Sequence, residues 1–136
     1  MRSADVIHVE DHAVRQAPRS VWLISESDEV ATLLTSAAAS LEIPFRRIEV
    51  ADMNHVLRGS GYLLLDLDPE PETACDIIRM VPRGPRPALR VWAFGAQIDS
   101  RRLIAAREAG ADRVLSLSRL LTGLEDLLRE VVASGS

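Results

Sequence analysis

From Val21 onward, short apolar runs alternate with longer amphipathic stretches, and Gly, Pro, Asp and Ser mark the joins. The short runs predict strands at Val21–Ser25, Phe45–Val50, Tyr62–Asp66, Leu89–Phe94 and Arg113–Leu117. The longer ones predict helices near 28–41, 52–58, 70–80, 100–109 and 120–132. In the first of these, Val30, Leu33, Leu34, Ala37 and Leu41 share one helical face.

Local chemistry sets the boundaries. Ser27 or Asp28 can cap the first helix, and Pro44 bars its continuation. Gly110 follows Arg107-Glu108-Ala109 where a helix needs a left-handed residue at its end, and the fifth strand starts almost at once. The first, third and fourth strands are nearly continuous apolar runs, as strands buried on both faces should be. The second and fifth are more polar and suit sheet edges. The α/β alternation therefore predicts a parallel sheet covered by helices on both sides, a three-layer sandwich.

Residues 1–20 break the period. Val6-Ile7-His8-Val9 ending in Glu10-Asp11 imitates a first strand, but a crossover helix would have to fit between His12 and Ser20 with Pro18 inside it. The segment is expected to be a flexible extension preceding one domain over 21–133, with a frayed end at 133–136.

Length and composition agree with one domain: 136 residues, 47% hydrophobic, can bury a genuine core. A net charge of −4 offers no basic field to gather nucleic acid or anionic lipid. Cys75 is the single cysteine, which leaves no intrachain disulfide, CxxC redox pair or thiolate zinc cage. No apolar run approaches the roughly 18 residues of a membrane span, and Met1 to Glu10 carries no signal-peptide core. The expectation is a cytoplasmic protein with no membrane partner. All sixteen basic residues are Arg, and Lys is absent.

In an open parallel sheet, ligands gather beyond the carboxyl ends of the strands. The candidate residues there are Ser25, Glu26, Asp66, Asp68, Gly95, Leu117 and Ser118. With strand order 2-1-3-4-5, Glu26 and Asp66 become neighbours in a small acidic cleft. Carboxylate oxygens with water suit a weakly held magnesium ion.

The five β/α units, the acid after the first strand and Leu63-Leu64-Leu65-Asp66-Leu67-Asp68 resemble a response-regulator receiver domain of flavodoxin-like (CheY-like) fold. The resemblance covers about Val21 to Val132. It is strongest from Phe94-Gly95-Ala96 through Ile104 to Ala109-Gly110-Ala111-Asp112, which is similar to the family's fourth helix and A-G-A-D turn. It implies that Asp66 stands at the phosphoacceptor position and Glu26 at the second position of the metal-binding acidic pair, with Ser25 in place of the first acid. It also implies that the face formed by the fourth helix, fifth strand and fifth helix carries partner or dimer contacts. Here that face holds Arg101, Arg102, Arg113, Arg119 and Leu120.

The departures from the family pattern fall together. The hydroxyl that bonds the phosphoryl oxygen falls on Gly95, the Lys at the end of the fifth strand on Leu117, the Pro after it on Ser118, and the aromatic switch residue on Val114. After Asp66, Leu67-Asp68-Pro69-Glu70-Pro71 brings Pro early and adds acids. A charge-assisted contact of the missing kind contributes about 1.5–3 kcal/mol. Arg119 is the nearest Arg in sequence, but its planar fork does not replace an ammonium point for point.

Other signals have plainer readings. His8 and His12 lie four apart in an acidic tail without a third local ligand. Gly59-Ser60-Gly61 enters a strand where a phosphate loop would leave one. Arg79, Arg83, Arg86 and Arg90 flank a Pro/Gly-rich connection that is expected to be solvated. Cys75, Trp22 and Trp92 read as core. Asp66 itself can be an acid that ends a buried strand and accepts backbone hydrogen bonds. No hydrolase triad, P-loop, Rossmann or zinc motif is present, so no enzyme is expected.

The favoured reading is a degenerate pseudo-receiver, a phosphorylation-independent protein-interaction module in bacterial signalling that contacts a partner or a second copy. The alternatives are a working phosphoacceptor modified on Asp66, and a small-molecule sensor using space left above Gly95.

Overall fold

The computed structural model describes residues 20–84 and 87–135. The strand-like segment at Val6–Glu10, His8, His12 and Arg86 lie outside the described residues. Among those described, five parallel strands form one sheet in the order β2-β1-β3-β4-β5. They are β1 (Ser20–Ile24), β2 (Phe45–Arg47), β3 (Gly61–Asp66), β4 (Leu89–Gly95) and β5 (Arg113–Ser116). The connecting and following helices are α1 (Asp28–Ser40), α2 (Met53–Val56), α3 (Pro71–Met80), α4 (Ser100–Ala109), α5 (Leu117–Thr122) and α6 (Leu124–Gly135).

The expected α/β sandwich and strand order are present, and the period of two along each strand explains how. Val21, Leu23, Tyr62, Leu64, Trp92 and Phe94 face one layer, where Val30, Leu34 and Ala38 of α1 meet Leu127, Leu128 and Val131 of α6. Trp22, Leu63, Leu65, Val91 and Ala93 face the other, against Met53 and Val56 of α2, Ile77 and Ile78 of α3 and Ala106 of α4. Cys75 belongs to this second core. The central strands are buried along nearly their whole length, whereas β2 and β5 are the open edges.

Caps decide the ends. The Ser27 hydroxyl accepts the Val30 N–H at 3.2 Å and starts α1. Asp99 does the same for α4 through the Arg102 N–H at 2.9 Å. Gly110 closes α4 with φ 125°, a backbone region that L side chains avoid.

Several boundaries differ from expectation, three of them with consequences for packing. β2 ends at Arg47, because Glu49 and Asp52 form a reciprocal capping box that opens a 3-10 turn over Val50–Asp52 before α2. β5 ends at Ser116, whose hydroxyl accepts the Arg119 N–H at 3.1 Å and starts a helix at once. Leu117 is therefore a helical residue, half-buried against the α1/α6 core, and not the tip of a strand. The final helix expected near 120–132 becomes α5 and α6, separated at Gly123.

Candidate functional site

The carboxyl ends of β1, β3 and β4 converge as the strand order requires. The register pairs Ile24 with Leu65 and Asp66 with Phe94. Ser25, one residue past β1, donates its hydroxyl to Asp66 Oδ2 at 2.7 Å. The same Ser25 oxygen accepts the Ser27 N–H at 3.1 Å, which ties the β1–α1 loop to the cleft. Arg47 fixes that loop from outside: its guanidinium donates to the Ser25 carbonyl at 3.1 and 2.8 Å and to Asp28 at 2.7 Å. The other Asp66 oxygen, Oδ1, accepts the Asp68 N–H at 2.9 Å. Both oxygens of the half-buried Asp66 carboxylate are thus engaged by the protein itself.

Asp68 crosses to the next loop. Its Oδ2 accepts the Ala96 N–H at 2.7 Å. Its Oδ1 lies 3.7 Å from the Arg102 guanidinium and 2.7 Å from the point a Cβ on residue 95 would occupy. The space left by Gly95 is therefore filled by a carboxylate, and the expectation of open room there for a small ligand is corrected. Gly95 is required by this close approach; its φ is not left-handed.

Glu26 and Asp66 do line one cleft, of about 380 Å³, with Glu49 and Glu70 at its edge and Ile24, Leu65, Ala74 and Ile77 beneath. Glu26 is exposed. Among the described residues no three His, Cys, Asp or Glu side chains come together as a metal-holding group. With Ser25 in place of an acid and bonded to Asp66, the donor set does not fit a resident magnesium ion.

The remaining predicted residues are dispersed. Val114 is half-buried against the α2/α3/α4 core, and Ser118 is exposed on α5. Leu120, expected on the contact face, is 1% exposed and belongs to the α1/α6 core, because the early start of α5 turns it inward. Arg113 is committed to Glu130 at 3.0 Å and to the Trp92 ring at 4.9 Å. Arg102 reaches back to Asp68 and to the Gln97 carbonyl at 3.1 Å. Arg101 and Arg119 are exposed. Among the described residues of the Arg-rich connection, Arg79 pairs with Asp76 at 2.8 Å, and Arg83 donates to the Arg107 and Glu108 carbonyls at the end of α4.

Sequence reasoning named Asp68 among the cleft residues without its partners. Ala96 and Arg102 were missed as members of the cleft, and Gly95 at the end of an otherwise bulky strand was the signal that something approaches closely there.

Comparison with solved structures gives the fold family of the sandwich. The chain aligns with a response regulator from Thermotoga maritima at TM-score 0.66 and 20% identity, covering 85% of this chain and 98% of that one. It aligns with the signal receiver domain of a DNA-binding response regulator from Colwellia psychrerythraea 34H at TM-score 0.69 and 19% identity, covering 85% and 98%. HP1043, an orphan response regulator of H. pylori, gives 0.67 and 13%, covering 84% and 96%. No protein-family model and no curated protein sequence matches the chain. The fold is a five-stranded flavodoxin-like sandwich. More narrowly, it is the receiver fold of response regulators.

Proposed function

We propose that this chain is a phosphorylation-independent pseudo-receiver that acts in bacterial signal transduction, in the cytoplasm, by contacting a protein partner or a second copy of itself, without turnover. The observation that carries this reading is the state of Asp66. Its two oxygens are taken by Ser25 and the Asp68 N–H. The neighbouring space holds a second carboxylate, and the guanidinium of Arg102 is turned onto that carboxylate. An added phosphoryl group would bring negative charge beside Asp68 with no ammonium to meet it.

The contact surface lies on the outer side of α4. Ile104 is 54% exposed there, and Arg101 stands one turn before it. An exposed Ile with Arg beside it supports this reading, because Arg is enriched in protein contacts. Among the described residues no helix is long and apolar enough to cross a membrane.

Incubation with acyl phosphate and magnesium, followed by intact mass measurement, tests the reading. An unchanged mass is expected. A gain of one phosphoryl group that disappears in Asp66→Asn overturns it.

A further inference from the structure

Asp68 does more than fill space. Its backbone N–H is bonded to Asp66 at the end of β3, while its carboxylate is bonded to Ala96, the first residue beyond β4. Arg102, in the first turn of α4, stands 3.7 Å from the same carboxylate. That Arg also donates to the Gln97 carbonyl, and its own N–H is capped by Asp99. One anion therefore joins the β3–α3 loop, the β4–α4 loop and the start of α4. The approach requires Gly95, since a Cβ there would lie 2.7 Å from Asp68 Oδ1 and 3.0 Å from Ile98 Cδ1.

We propose that Asp68 is a built-in anionic latch, which holds the β4–α4 loop and the first turn of α4 in one arrangement and so makes an added anion on Asp66 unnecessary. An ionised acceptor makes a short, strong hydrogen bond to a backbone N–H, and a nearby guanidinium strengthens it. Ala96, Gln97 and Asp99 are exposed, so beside the latch the loop is held by Ile98 against the core, the Arg102–Gln97 bond and the Asp99 cap. The face of α4 that presents Arg101 and Ile104 is then permanently posed. The inference rests on the proposed function only in giving that face a use; the latch itself is a property of the unmodified chain.

Amide hydrogen exchange on the full chain tests it, comparing the wild type with Asp68→Ala, Asp68→Asn, Gly95→Ala and the control Asp76→Ala. The expected result is exchange at Ala96 at least about tenfold faster in Asp68→Ala and Gly95→Ala, with a smaller acceleration in Asp68→Asn and none in Asp76→Ala. In Gly95→Ala the nearest atoms met are side-chain ends, Asp68 Oδ1 and Ile98 Cδ1, so this variant releases the latch while keeping the Asp68 carboxylate. Ala96 exchange unchanged in both Asp68→Ala and Gly95→Ala overturns the latch. An Asn variant indistinguishable from wild type overturns its anionic character. Because exchange is read on the unmodified chain, phosphorylation of Asp66 would defeat the proposed function and leave this result standing.

Discussion

Asp112 and Val91 exchange two hydrogen bonds: the Asp112 N–H donates to the Val91 carbonyl at 2.8 Å, and the Val91 N–H donates to the Asp112 carboxylate at 2.7 Å. The paired register of β4 and β5 begins one residue later, at Trp92 and Arg113. The side chain thus supplies a ladder acceptor ahead of the first strand residue, which explains an Asp after Ala109-Gly110-Ala111. A hydrogen bond to a charged group contributes about 1.5–3 kcal/mol. Asp112→Ala is expected to cost about that much in urea unfolding, and Asp112→Asn, which keeps an acceptor oxygen, less than half of it.

Gly61 has φ 147°, and a Cβ there would lie 2.0 Å from the Ser20 carbonyl oxygen. Gly61→Ala must therefore break the start of the β1–β3 pairing, at a cost above about 3 kcal/mol or with loss of soluble protein. Gly84, with nothing within 4 Å of its would-be Cβ, is the control. Gly84→Ala should leave the thermal midpoint within about 2 °C of wild type. Equal effects at the two sites would contradict the geometry.

Leu64 is 1% exposed at the centre of β3, in the core between the sheet and the α1 and α6 helices. Truncation to Ala leaves a cavity that close-packed neighbours cannot collapse, with an expected loss of about 2–5 kcal/mol in chemical denaturation. A loss below 1 kcal/mol, on the same cavity argument, would mean that this core is loosely packed.

Ile104, more than half exposed on α4, should tolerate Glu with a stability change within about 0.5 kcal/mol. If the α4 face makes the proposed contact between copies, light scattering will show an assembly in the wild type that Ile104→Glu dissolves. A wild-type monomer across micromolar concentrations removes the self-association reading.

The strands were legible because Val, Ile and Leu runs bounded by turn residues have few other uses, and the edge positions of β2 and β5 followed from Arg46, Arg47 and Arg113. Segment ends were less legible, since they turn on single side-chain contacts. Glu49 and Asp52 cap each other and cut β2 short, and Ser116 caps a helix that absorbs Leu117 and buries Leu120. In the site, strand order alone places Glu26 and Asp66 in one cleft, but not the Ser25 hydroxyl as the direct partner of Asp66. Nor does it place Asp68 on Ala96, because that bond joins two loops 28 residues apart in sequence through a side chain whose direction no periodicity encodes.

The alternation that sends Trp22 to one layer and Trp92 to the other gives the molecule two built-in optical reporters. Trp22 is buried against the α2 side, while Trp92 lies 4.8 Å from Tyr62 under Arg113 on the other side of the sheet. Replacing either one with Phe isolates the fluorescence of a single layer. Coincident melting of the two variants would mean that the sheet and both helical coats come apart together, and separated midpoints would reveal which coat peels first.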